Sequence, residues 1–289
     1  MNIVCFGAHP DDCEIFAGGT MLLWAQAGHQ VYLVSVSNGN AGHHTMPREA
    51  LAKRRRAEAA KAAEIAGPNV HSLVLDNDDG AIMADLDLRQ QIIDIICEYK
   101  ADVVLTHRPF DYHPDHRYTS IAVQDASYLV TVPHCCPDGK ALSKMPTFLY
   151  MMDCFTRPAP FSPDIGVDVS EVIDIKWAML DAMESQFYEW LPWQMQRLDS
   201  VPESPEARLT WLKTEWTPWL NRAFAIGRDT LEYIYGEEQA AHMVAAELFE
   251  VCEYGYQPTR KDLMNLFPFL PRRNGLAELN PCIAKDMMD

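Results

Sequence analysis

The feature that most narrows the fold is an alternation of short apolar runs with longer helix-like segments, repeated four times in the first 130 residues. Residues 2–8 read as a strand, 13–27 as a helix closed by Gly28, and 30–36 as a second strand broken by Asn38-Gly39. A helical segment over 48–66 stops at Gly67-Pro68, and strand 70–75 precedes a helix over 85–99. Strand 101–106 leads to a helix ending near 130, and a fifth strand is expected at 147–152. Strands separated by helices of this length imply parallel pairing, because a crossover needs a helix to return the chain to the same sheet edge. The expectation is an α/β, Rossmann-like, doubly wound sheet, mostly parallel, with helices on both faces. The first strand-to-helix turn carries no Gly-x-Gly-x-x-Gly loop, so a dinucleotide reading has no support.

The chain changes character near 187. Five of its seven tryptophans (Trp190, Trp193, Trp211, Trp216 and Trp219) fall within thirty residues, and a helical pattern resumes over about 229–252. Residues 1–187 are therefore read as the core, and 188–289 as a helical, Trp-rich extension packed on it. Packing or subunit contact is the ordinary use of such tryptophans; stacking against a sugar ring is the alternative. A homo-oligomer is one expectation from this segment.

Two tetrapeptides carry the chemistry. His9-Pro10-Asp11-Asp12 follows strand one, and His113-Pro114-Asp115-His116 follows strand four. In an open parallel sheet, ligands bind beyond the carboxyl ends of the strands where the strand order reverses, and strands one and four flank that point. Each proline can occupy the first turn of a helix. His9 and Asp12 are then spaced i, i+3 and converge on one point, as do His113 and His116. Imidazoles and carboxylates with a position left for water suit catalytic zinc, although other divalent ions accept the same donors. From the composition, His-x-x-Asp alone is expected about once by chance, whereas each full tetrapeptide is expected fewer than about 0.01 times. The competing account is that these residues are simply helix N-caps.

Charge and cysteine usage exclude other classes. A net charge of −17 repels phosphate backbones and anionic lipid, so neither nucleic acid nor a membrane is an expected partner. The densest basic run, Lys53-Arg54-Arg55-Arg56, sits in an Ala/Glu helical pattern and reads first as a solvated face. Eight cysteines at 5, 13, 97, 135, 136, 154, 252 and 282 include no Cys-x-x-Cys pair, which points to a reducing compartment. No apolar stretch approaches membrane-spanning length, and the strand-like run Ile3-Val4-Cys5-Phe6 has no charged leader before it. A cytoplasmic location is expected.

The run Gly7-Ala8-His9-Pro10-Asp11-Asp12 with Gly18-Gly19, together with Asp111-Tyr112-His113-Pro114-Asp115-His116-Arg117, resembles the LmbE/PIG-L family of metal-dependent N-deacetylases. Weaker echoes are Arg55-x-x-Glu58, Val167-Asp168-Val169-Ser170 and Ser185-Gln186, so the resemblance covers about 1–187. Cys13 departs from it, standing where the family more often has an acidic residue. The resemblance implies a Zn²⁺ held by His9, Asp12 and His116, and substrate contact by Arg55. Asp11 lies off the i, i+3 face and suits a general base, His113 suits an acid or oxyanion partner, and Asp115 can orient an imidazole. His107, His43 and His44 are further polar candidates or ordinary loop histidines, and Cys13 is expected to pack.

The implied function is zinc-dependent removal of acetyl from an N-acetylated amino sugar or a related small acetamide. Two rivals remain: metal-dependent hydration of an unsaturated oxo-acid at the same site, and a non-catalytic Rossmann-like binding module.

Overall fold

The computed structural model describes residues 1–271; Cys282 lies outside them. The chain runs β1 (Asn2–Gly7), α1 (Asp12–Gln26), β2 (Gln30–Ser37), α2 (Arg48–Ala66), β3 (Val70–Asn77), α3 (Leu86–Tyr99), β4 (Val103–Thr106) and α4 (Pro114–Leu129). It continues through β5 (Thr147–Met151), β6 (Ile165–Asp168), α5 (Ile173–Asp181), a π-helical turn (Ser185–Trp190), α6 (Leu191–Gln194) and α7 (Pro205–Leu220). The last described elements are α8 (Arg222–Tyr235), α9 (Glu237–His242), β7 (Ala246–Gly255) and α10 (Arg260–Leu266).

The seven strands form one sheet in the order β3-β2-β1-β4-β5-β7-β6. The first five are mutually parallel, and β7 runs antiparallel to both of its neighbours. The strand order turns outward in both directions from β1, and β4 pairs with it through Ile3↔Val103 to Phe6↔Thr106. The loops leaving β1 and β4 therefore meet at the crevice expected of a doubly wound sheet. Successive side chains on a strand point to opposite faces. Ile3, Cys5, Leu33, Val103 and Leu105 accordingly join one core with α1, α2 and α5, while Val4, Phe6, Val34 and Val104 join a second core with α3 and α4. No helix among the described residues is long and apolar enough to cross a membrane.

The late part of the chain corrects one expectation. Residues 246–252, read as the end of a helix, are β7, and they sit inside the sheet between β5 and β6. Ala246, Glu247, Leu248 and Phe249 are all buried, so both faces of the strand are covered and the period-two alternation is hidden. Good helix formers in that run (Ala, Glu, Leu) gave a local bias that sheet pairing overrides.

Glu247 is the polar tie that fixes this strand. Its carboxylate accepts from the Gly19 and Thr20 N–H groups at 2.8 and 2.7 Å, from Thr20 Oγ1 at 2.6 Å and from Lys176 Nζ at 2.7 Å. Lys176 also donates to the Ile15 carbonyl at 2.8 Å. One buried ion pair thus joins α1, α5 and β7 directly behind the first histidine motif. The close approach requires Gly19, since a Cβ there would lie 2.6 Å from Val169 Cβ.

Candidate metal centre

The first motif turns sharply off β1 because Gly7 has no side chain: a Cβ would stand 2.7 Å from that of Asp12. The His9 N–H donates to Asp12 Oδ2 at 2.8 Å, so the turn aims its own carboxylate. The same oxygen lies 3.4 Å from His9 Nδ1, while Asp12 Oδ1 faces His116 Nε2 at 3.5 Å. His116 Nδ1 is held at 2.9 Å by Asp111 Oδ2, the second-nitrogen contact that orients a metal-binding imidazole. His113 is the N-cap of α4, its Nδ1 accepting from the Asp115 N–H at 3.2 Å with Pro114 in the first turn. The ring of His113 lies 4.6 Å from that of His9.

The four histidine and aspartate positions read from sequence, His9, Asp12, His113 and His116, therefore converge. Donor atoms close enough to share an ion fall into three overlapping sets: His9, His113 and His116; Asp12, His107 and His116; and His9, Asp79 and Asp115. His107 joins the cluster because its Nε2 lies 3.2 Å from Asp12 Oδ2 and accepts from the Ala8 N–H at 3.1 Å. Asp79 was not singled out from sequence. It follows β3 as the histidine motifs follow β1 and β4, and strand-end position was the signal that could have found it. Asp111, two residues before His113, was likewise quoted only as part of the motif.

The donors fit a divalent cation. His9 Nε2 is buried without a hydrogen-bond partner, standing 3.3 Å from Asp79 Oδ1 and 3.4 Å from Asp115 Oδ2. Burial disfavours charge on His9, yet Asp115, Asp12 and Asp79 outweigh it and raise its pKa well above the usual value. Burial would also raise Asp12, but His116 and His107 hold it well below the carboxylate range. His107 is pushed down to about 4 by burial and by His116. A buried knot of imidazoles and carboxylates that polarise one another in this way is stabilised by a positive ion with nitrogen and oxygen ligands.

Around this knot the other candidates take definite places. Asp115 is fully buried and accepts from the Gly80 N–H at 2.7 Å, fixing the loop that carries Asp79. Asp11 is gripped by Arg55, whose Nη2 lies 3.0 Å from Asp11 Oδ2 and donates to the Pro10 carbonyl at 3.1 Å. Burial raises the Asp11 pKa, with Arg55 opposing and Asp12 adding to the rise. Arg55 is only 2% exposed, which corrects the reading of the basic run as a wholly solvated face. Its neighbours behave differently: Arg54 pairs with Glu58 and Glu189, and Arg56 is half exposed. His43 is bound to Glu189 at 2.8 Å, and His44 stacks on Trp193. Cys13 packs in the core, its Sγ donating to the Cys5 carbonyl at 3.3 Å.

A cavity of about 490 Å³ opens above the cluster, within the range of small-molecule sites. Its walls include Phe16, Gln186, Trp190, Trp216 and Trp219. Trp211 instead packs against Tyr188, so the Trp-rich segment divides between packing and lining the cavity.

The family model described as PIG-L: GlcNAc-PI de-N-acetylase matches residues 4–127, the stretch that holds both motifs. Residues 4–127 are thus similar to the PIG-L family. Over 201 residues the chain is 27% identical to the diacetylchitobiose deacetylase of Thermococcus kodakarensis, covering 67% of this chain and 73% of that one. It is also 27% identical over 191 residues to the 4-oxalmesaconate hydratase of Pseudomonas putida, covering 63% and 73%. In structure it resembles the N,N'-diacetylchitobiose deacetylase of Pyrococcus horikoshii, with a TM-score of 0.67 and 19% identity over 87% of this chain and 83% of that one. That likeness establishes the shared fold. The matched stretch ends near the close of α4, so Trp190, Trp216 and Trp219 belong to a part of the chain the family model does not describe.

Proposed function

We propose that the protein is a metal-dependent N-deacetylase, with zinc as the ion and His9, Asp12 and His116 as its protein ligands. Its substrate is an N-acetylated amino sugar or a related small acetamide. The observation that carries this reading is the convergence of Asp12 with imidazoles from both motifs, beneath a cavity and beside an arginine-gripped Asp11. The family match and the deacetylase relatives support the same reaction class.

A divalent ion held there would supply Lewis acidity for polarising a carbonyl and acidifying water near neutral pH. Asp11 takes the proton of that water, since a carboxylate raised by burial is closer to the basicity the task needs. Arg55 holds Asp11 in position and keeps it from the ligand face. His113 donates a hydrogen bond from Nε2 to the developing oxyanion: its Nδ1 is committed as an acceptor at the start of α4, and burial with the nearby His9 and His116 lowers its pKa and favours the neutral ring, so the proton Asp11 took from water passes to the departing amine. Asp115 and Asp79 steady His9 from the side away from Asp12.

The hydratase relative favours a second reading, in which the same polarising site adds water to an unsaturated oxo-acid and no amine departs. Products separate the two. Metal-loaded protein is offered a panel of N-acetylated amino sugars and unsaturated oxo-acids, and acetate, primary amine and loss of alkene absorbance are followed. Release of acetate with an equal amount of amine is expected. Hydration of an oxo-acid with every acetamide untouched would overturn the deacetylase reading.

A further inference from the structure

The cavity walls carry information about the part of the substrate that does not react, and the inference rests on the deacetylase reading only for the reacting end. Trp216 and Trp219 are spaced i, i+3 on α7, so they share one helix face, and both line the cavity. Phe16 of α1 meets Trp219 edge-on with 5.4 Å between centroids, which steadies the indole. Indole surface of this kind suits a ring with an apolar face and a polar edge.

The charge at the same cavity is more specific. The floor is acidic, with Asp11, Asp12 and Asp79 in the lining. Two arginines also line it, Arg55 and Arg222. Arg55 is committed, lying 3.0 Å from Asp11 and 3.9 Å from Asp79. Arg222, the first residue of α8, has only Cys154 as a partner among the described residues, its Nη1 standing 3.9 Å from that sulfur. In a chain of net charge −17 acidic partners are plentiful, yet this exposed guanidinium at the cavity has none. A planar guanidinium with its donors uncommitted matches a carboxylate or a phosphate.

We propose that the substrate carries an anionic group, carboxylate or phosphate, which pairs with Arg222 while its ring lies against Trp216 and Trp219. Specificity then comes from the segment outside the matched stretch, and a neutral amino sugar is the weaker ligand.

The test titrates the metal-loaded protein with N-acetylglucosamine, its 6-phosphate and N-acetylmuramic acid, reading quenching of tryptophan fluorescence and, in parallel, acetate release. At least one anionic sugar is expected to bind roughly three- to tenfold tighter than the neutral one, the scale of a charge-assisted contact at a partly exposed site. Arg222→Ala removes the difference and Arg222→Lys restores part of it; an exposed residue with no acidic partner can be replaced without unfolding the chain. A phosphate-only or carboxylate-only preference that follows Arg222 identifies the group. Equal binding of all three sugars, binding of none, or a preference that survives Arg222→Ala overturns the inference. If the preference follows Arg222 but no acetate appears, the deacetylase reading falls and the anion site stands. If acetate is released from all three alike, the reverse holds.

Discussion

The tie between Lys176 and Glu247 allows a strict test of how the late strand is held in the sheet. Lys176 is 1% exposed and Glu247 4%, so neither charge has water to fall back on. Lys176→Met keeps much of the stem's bulk and removes the ammonium, leaving Glu247 with three neutral donors from α1 and the Ile15 carbonyl without its lysine donor. Removing one partner of a buried pair costs about 3–5 kcal/mol, because the remaining charge stays desolvated. Glu247→Gln should cost a similar amount, since its amide nitrogen must face donors that the carboxylate oxygens accepted. The double variant relieves the stranded charge, so it should lose clearly less than the two single losses added, with a coupling of roughly 2–3 kcal/mol. Urea unfolding followed by tryptophan fluorescence and far-UV circular dichroism measures all four corners of the cycle. A Lys176→Met cost below about 1 kcal/mol, or singles that simply add, would refute the argument that β7 is anchored through this pair.

Other outcomes follow from the site. Asp12→Ala and His116→Ala should each purify with much less metal by elemental analysis, and full occupancy in both would remove them from the ligand set. Asp11→Asn, nearly isosteric, should keep the metal and lose turnover by roughly 10²–10⁴, the usual range for a general base; unchanged turnover would end its catalytic role. Burial would raise the Glu189 pKa, but its bonds from Arg54 and His43 lower it. A lowered pKa means stability present above the unfolded value of about 4.3 and lost as pH falls through the folded value. Acid should therefore release the 38–47 loop from the π-helical turn, read as a change in Trp190 and Trp193 fluorescence. Glu189→Gln should already display the released signal at neutral pH, and a wild-type signal in that variant would count against the tie.

Much of the fold was legible because the motifs carry their own turn chemistry. His9-Pro10-Asp11-Asp12 and His113-Pro114-Asp115-His116 announce where β1 and β4 end and where α1 and α4 begin, and an outward strand order does the rest. Arg55 was hidden by its neighbours in Lys53–Arg56, although the signal was present. Leu51, Arg55, Ala59 and Ala62 fall on one face at helical spacing, and all are buried. The cavity tryptophans were not legible, since i, i+3 spacing says that Trp216 and Trp219 share a face without saying what that face meets. The strand at 246–255 was lost because burial on both sides leaves no alternation to read.

The N-cap of the second motif and the proposed catalytic role of His113 draw on one geometry. A helix start leaves N–H groups without partners, and a side-chain acceptor just before it satisfies one of them. His113 does this with Nδ1, and by accepting there it fixes its own tautomer, so the proton sits on Nε2. The cap thus keeps the ring neutral and leaves its Nε2–H free to donate to an oxyanion in the proposed reaction. The two duties separate under substitution, because asparagine caps helices well but is too short to place a donor where Nε2 stood. His113→Asn should keep stability within about 0.5 kcal/mol of the wild type, while turnover falls roughly 10²–10³-fold, the usual loss for an oxyanion donor. His113→Ala should show the same loss of turnover and also lose about 1 kcal/mol of stability, the usual cost of a missing cap. Thermal or urea unfolding and acetate release, measured on the same preparations, give both readings. Retained turnover in His113→Asn would assign the oxyanion contact to another group, with Tyr112 in the cavity wall the first to test.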